Sequence, residues 1–208
     1  MKYIKDNNNG QSLLELLIAI TVLVTALVAT VVLIINSIEA GKASRNKLIG
    51  TNFAREGIEI VRNIRDSNWI DPNGVNWDDS LIGVADSTAI PIIDGSSDIT
   101  LSFSVDAFTD GDAQIKVNSS QYVQGLSLTD EDTSFFRLLY INPICQDNSD
   151  PVNEKIADKE NTDSCGEGEH TDYDNKVGIR IISEVRWPVP DSKRKVVIED
   201  RLYNWQAL

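Results

Sequence analysis

The residues best suited to chemistry stand near the start of the chain, where a polar segment meets an apolar one. Residues 1–10 end in Gly10, and Gln11-Ser12-Leu13-Leu14 separates that glycine from Glu15. An apolar run, Leu16 to Ile35, follows and is interrupted only by three threonines. As a helix, about twenty residues measure roughly 30 Å, the thickness of a bilayer's hydrocarbon core. A carboxylate at the start of a membrane helix is costly, so Glu15 indicates a function.

An ordinary secretory signal does not fit this segment. Such a signal has a basic start, a short apolar stretch and then a small-residue cleavage site. Lys2 and Lys5 supply the basic start, but the apolar run is too long, contains no Ala-x-Ala site at its end, and follows the glycine. A plain single-pass anchor is the remaining alternative, although it does not explain the spacing of Gly10 and Glu15.

A polar leader, a glycine and a glutamate five positions later resemble the N-terminus of type IV pilins and type II secretion pseudopilins. The resemblance implies that prepilin peptidase cuts between Gly10 and Gln11 and that the new amino group of Gln11 is methylated. It also implies that the apolar segment stays on the mature chain. The chain departs from the family at Gln11, where an aromatic or aliphatic residue is common. The segment from Asn52 to Trp69 further resembles minor pseudopilins of the I type.

The same resemblance assigns a role to Glu15. In the low-dielectric core of a fibre, its charge would pair with the amino group of Gln11 in a neighbouring subunit, which would set the axial register. The implied partners are other pilin or pseudopilin subunits, prepilin peptidase, the inner-membrane assembly platform and, before assembly, membrane lipid. The implied location is the inner membrane with the head outside, then a periplasmic or extracellular fibre.

Charge narrows the function classes. The 208 residues carry a net charge of −13, and loss of the leader, with two lysines and one aspartate, would leave −14. So acidic a protein is not expected to bind nucleic acid directly, because such binding needs clustered Lys and Arg. Lys2 and Lys5 precede the helix, and we expect no comparable basic cluster directly after it. The positive-inside tendency then places the leader in the cytoplasm.

Two cysteines, Cys145 and Cys165, predict one disulfide in a domain outside the cytoplasm, with two free thiols as the alternative. Closing a loop of about twenty residues would stabilise the head by roughly 3 kcal/mol. The insertion 145–176 holds ten Asp or Glu against three Lys. Clustered carboxylates suit calcium, but no EF-hand loop is present, and a solvated acidic loop is the simpler interpretation. No metal site is expected otherwise, since His170 is the only histidine.

Catalysis is not expected. The sequence contains no G-x-S-x-G, no phosphate loop and no dinucleotide motif. A single histidine in an acidic loop gives poor support to a Ser-His-Asp arrangement. Two function classes therefore stay open: a structural subunit of a pilus or pseudopilus, and a membrane-tethered extracellular binding or adhesion module.

The predicted fold is α+β, a long N-terminal helix followed by an antiparallel β-sheet head. Helical spacing continues to about Asp66, where an apolar stripe is expected to face the sheet. The predicted organisation is a leader (1–10), a transmembrane or fibre-core segment (11–35), the exposed half of the helix (36–66) and the head (67–208). The apolar stripe consists of Ile49, Phe53, Gly57, Ile60 and Ile64. A loop is predicted over 68–97, followed by a hairpin that joins 99–105 to 113–117. Three further strands are predicted, a central one over 135–141, another over 177–187 and a last one over 195–205.

Overall fold

A computed structural model gives the architecture of the chain. The residues it describes are 9–71, 73, 75–82, 88–93, 99–105, 107–118, 120–125, 131–147, 149–150, 152–157, 165, 175–187 and 194–204. One helix, α1, covers Asn9–Ile70, and an antiparallel sheet follows it. The fold is therefore α+β, as predicted. By contacts the chain divides after Asn46 into two compact units, the second of which contains the end of α1 and the whole sheet.

Among the described residues, the sheet has eight strands. Their bounds are β1 Thr88–Ile93, β2 Ile99–Ser102, β3 Gln114–Asn118, β4 Gln121–Val123, β5 Glu131–Gln146, β6 Glu154–Ile156, β7 Asn175–Arg186 and β8 Lys195–Tyr203. A short 3-10 helix, Gly111–Ala113, precedes β3.

Strand β5 organises the sheet. Along one side it pairs with β7 from Phe136–Arg186 to Gln146–Asn175, and β8 pairs in turn with β7. Its other side is shared by three short strands, β3, β1 and β6, each antiparallel to it. The predicted central strand is confirmed and is longer than expected. The last two strands are confirmed as well, and residues 188–193 between them lie outside the described part of the chain.

The second part of α1 packs its apolar stripe on the sheet. Phe53, Ile58 and Val61 are buried in clusters with side chains of β5, β7 and β8. The predicted stripe was wrong by one position near its middle: it included Ile60, which is only half-buried, whereas Ile58 and Val61 are the buried residues. A third cluster, around Ile90 and Leu138, lies beneath the segment that precedes β3.

Two glycines allow close contact between this part of α1 and the sheet. A Cβ at Gly57 would lie 2.8 Å from the Leu139 and Ser183 side chains, and one at Gly50 would lie 2.9 Å from the Trp187 ring. These distances are shorter than real Cβ contacts, so a side chain at either position would force its neighbours to shift. Helix α1 is unbroken at Gly50, where the glycine serves close packing.

Two predictions for the region before β5 were wrong. Residues 99–105 do not form a hairpin with 113–117, because β2 pairs with β1 and β3 pairs with β4 and β5. The Asp110 carboxylate accepts a hydrogen bond from the Asp112 N–H at 3.0 Å and caps the 3-10 helix, so this segment is not a hairpin turn. The loop expected over 68–97 contains β1, whose Pro91 cannot donate to the sheet and obscured the strand pattern.

Candidate functional site

The residues predicted to be processed lie at the beginning of α1. The helix starts at Asn9, so Gly10 and Gln11 belong to its first turn. Glu15 follows Gln11 by four positions, which places the two residues on the same face of a helix, one turn apart. The Glu15 side chain is exposed. None of the ion pairs between described residues includes Glu15.

An apolar surface surrounds α1 on all sides after Glu15. Every side chain from Ser12 to Lys42 is exposed, including those of seventeen large apolar residues between Leu13 and Ile38. Mean hydropathy reaches 3.0 over an 18-residue stretch, none of which is buried. By length and composition this helix is able to span a membrane. Because water does not stabilise such a surface, it needs lipid or other apolar helices around it.

The polar side chains within the apolar run are hydrogen-bonded to the helix itself. The hydroxyls of Thr21, Thr25 and Thr30 donate to backbone carbonyls three or four residues earlier, at 2.7–3.0 Å. In hydrocarbon, an unsatisfied hydroxyl would cost free energy, and these bonds remove that cost. Glu15 thus stands apart from the threonines as the polar group of this segment without such a bond among the described contacts.

The charges after the apolar run contradict one prediction. Lys42, Arg45 and Lys47 follow Ile38 closely, with Glu39 as the only acid among them, and all three basic side chains are exposed. This basic cluster is at least comparable to Lys2 and Lys5, so the positive-inside comparison does not place the leader in the cytoplasm.

A disulfide joins the end of β5 to the acidic insertion. Cys145, buried at the end of β5, is bonded to Cys165 across a sequence separation of 20, with their Cα atoms 5.5 Å apart. The predicted disulfide is confirmed, and the alternative of two free thiols is wrong. Disulfides persist in oxidising compartments and are rare in the cytosol.

The first part of the acidic insertion is folded onto the sheet. Strand β6 pairs with the end of β5, and the Tyr203 hydroxyl donates to Glu154 at 2.9 Å. Between these strands, Asp147 accepts hydrogen bonds from the Ser149 N–H and hydroxyl, at 2.7 and 2.6 Å. The bonds to Ser149 hold the pKa of Asp147 below its usual value. This acid therefore has a local structural role in a turn.

Calcium has no assembled site in the described part of the chain. No group of three or more His, Cys, Asp or Glu side chains is arranged there to hold a metal ion. Most acids of the insertion, and His170, lie outside the described residues. The calcium alternative therefore stays a prediction from sequence.

One buried charge in the head was missed by sequence reasoning. Arg137 is 3% exposed, and its Nε donates to Gln124 at 2.6 Å while its Nη1 donates to the Phe53 carbonyl at 3.0 Å. The same Nη1 lies 3.4 Å from the half-exposed Glu56 carboxylate. Desolvation lowers the pKa of Arg137, and Glu56 partly opposes that effect. This network ties β5 to the packed part of α1.

The sequence signal for that network was weak but present. Arg137 is the single charge within the apolar run that predicted the central strand. Its partners come from α1 and from the segment after β4, more than ten residues away in sequence. No local pattern connects these three positions.

The chain matches no protein-family model, no curated protein and no solved structure at a significant level. The fold and the site therefore define a class of architecture. In this class, a helix able to span a membrane continues into a disulfide-bonded α+β head.

Proposed function

We propose that this chain is a structural subunit of a type IV pilus or a type II secretion pseudopilus. In this proposal, prepilin peptidase removes residues 1–10, Gln11 becomes the methylated N-terminus, and the subunit waits in the inner membrane with its head outside. An assembly platform then moves it into a fibre, where its apolar helix packs against those of other subunits. The chain has no catalytic role.

One observation carries the proposal: Glu15 lies one turn after Gln11, in a part of α1 (Ser12 to Ile38) whose apolar side chains are exposed on every face. Lipid covers such a surface in the membrane, and neighbouring helices cover it equally well in a fibre. In either environment an ionised carboxylate needs a cation. Cleavage after Gly10 would create that cation, as the amino group of a neighbouring Gln11.

The head supports the proposal in a second way. Its core is complete without the apolar segment, since the buried clusters consist of residues after Lys47. A subunit that moves from lipid to fibre must keep its head folded in both environments. The confirmed disulfide suits the oxidising side of the membrane.

Mass spectrometry of the N-terminus tests the proposal. We expect the protein in source-cell membranes, and in material sheared from the cell surface, to begin at methylated Gln11. Gly10→Val should block cleavage and trap a chain starting at Met1, whereas the matched neighbour Asn9→Val should be processed normally. A wild-type chain that still begins at Met1 in cells with active prepilin peptidase would contradict the proposal. That result would favour the alternative, a tethered binding or adhesion module.

A further inference from the structure

The basic residues directly after the apolar segment have no role in the proposed fibre contacts or in the head. Between Glu39 and Glu56 the helix carries four cations and no acid, although the protein as a whole is strongly acidic. Lys42 and Arg45 are the first two, and both are exposed. Neither takes part in an ion pair between described residues. Because these two cations form no ion pair with the described carboxylates, they are available to bind an external anion.

Their position along the helix indicates which anion. Lys42 and Arg45 follow Ile38, the last residue of the apolar surface, by four and seven positions, so all three lie on one helix face. At 1.5 Å per residue, the two cations lie about 6 and 10 Å beyond Ile38 along the axis. The headgroup layer on each side of the hydrocarbon core is about 5–8 Å thick. Helical side chains also point back toward the N-terminus, here toward the apolar segment.

We propose that Lys42 and Arg45 bind the phosphates of anionic lipids at the membrane surface where the apolar segment ends. The inference rests on the proposed function only in requiring that this segment resides in a bilayer. The lipid contacts would fix the depth of the helix, as long basic side chains do when their stems lie along apolar surface and their charges reach headgroups. They would be lost when the subunit leaves the membrane, so they favour the membrane-resident state over the fibre.

Lipid binding to the full-length protein in detergent micelles tests this inference. Native mass spectrometry would compare retention of phosphatidylglycerol with that of phosphatidylcholine. We expect wild type to prefer phosphatidylglycerol and K42Q/R45Q to lose roughly tenfold to thirtyfold of that preference, since each cation near an anionic surface contributes about 1 kcal/mol. The charge-conserving variant K42R/R45K should keep the preference. Arg55→Gln is the matched control, at an exposed cation farther along the helix that forms no ion pair with the described residues.

Equal lipid preference in wild type and K42Q/R45Q would overturn the inference, and so would an equal loss in Arg55→Gln. Loss of fibre incorporation with lipid preference unchanged would also overturn it, and would assign these cations to carboxylates of neighbouring subunits. N-terminal processing, measured on the same samples, separates the two proposals. A chain that is cut at Gly10 but has no lipid preference contradicts this inference alone, whereas an uncut chain with the preference contradicts the proposed function alone.

Discussion

The two parts of α1 bury their apolar side chains in different ways. From Ser12 to Ile38 the helix is apolar around its whole circumference, and its side chains are exposed. From Lys47 to Ile70 it has one apolar stripe, which is buried against the sheet, and an opposite face of charged residues. A helix with a stripe finds its partner within the chain, whereas one that is apolar all round requires a partner outside it.

This difference separates two kinds of constraint on the sequence. In the packed part, shape matters, since Gly50 and Gly57 leave no room for a methyl group. Just after the apolar part, Gly41 has no atom within 4 Å of an added Cβ. Within the apolar part, the residue that stands out is a charge, Glu15. Substitutions in the packed part should change stability, and those in the apolar part should change assembly.

Glu15→Ala gives the largest expected effect on assembly. Without the carboxylate, the amino group of a neighbouring Gln11 would be buried without a partner, and we expect incorporation into fibres to fall about tenfold or more. The free energy of unfolding of the head should change by less than about 0.5 kcal/mol, because Glu15 lies outside the core of the head. Quantitative blotting of sheared fibres and membranes measures incorporation into fibres, and urea unfolding measures the stability of the head. Glu39→Gln, at the next carboxylate of the same helix, is the control, and normal incorporation of Glu15→Ala would refute the register role.

Arg137→Ala gives the opposite result, a loss of stability. Removing the guanidinium leaves the buried Gln124 oxygen without its donor and opens a cavity, so the free energy of unfolding should fall by about 3–5 kcal/mol. Arg137→Met keeps most of the volume and should lose less. Arg201→Ala, at an exposed and loosely paired arginine, should cost less than about 1 kcal/mol. Equal losses in Arg137→Ala and Arg201→Ala would show that the buried network does not hold β5 to α1.

The disulfide should stabilise the head without affecting the apolar part. For a separation of 20 residues, loss of the bond between Cys145 and Cys165 should reduce the free energy of unfolding by about 3 kcal/mol. Urea unfolding of C145A/C165A and of wild type under a thiol reductant would measure the loss in two ways. Helix content of the membrane-reconstituted apolar segment should stay constant by circular dichroism. A loss of helix content in that segment when the disulfide is absent would mean that the two parts of the chain are not independent.

The long elements were predictable because their signals are local. A proline-free helical period gave α1, and the apolar run at 135–141 gave the core of β5. The disulfide followed from an even cysteine count. Helix spacing and the charge at Glu15 also defined the candidate site, since both depend on residues close together in sequence.

Strand pairing was less predictable because it depends on distant residues. Two alternating segments, 99–105 and 113–117, looked like neighbours, yet β2 pairs with β1. Pro91 obscured β1 itself, and Gln124 and Glu56 meet Arg137 only in the folded head. Lys42 and Arg45 stand in the sequence shortly after the apolar run, where no basic cluster was expected.

Glycine substitutions sharpen the comparison within one helix and give the smallest effects. In Gly57→Ala the new methyl would overlap Leu139 and Ser183, so the head should lose about 1–3 kcal/mol of stability. Gly41→Ala makes no contact and should gain up to about 1 kcal/mol of helix stability, because alanine restricts the unfolded chain. Urea unfolding of the head and helix content by circular dichroism measure the two changes. The same substitution thus has opposite signs where α1 packs on the sheet and where its side chains face outward. A destabilised Gly41→Ala head, or an unaffected Gly57→Ala head, would show that packing constrains α1 elsewhere than between Gly50 and Val61.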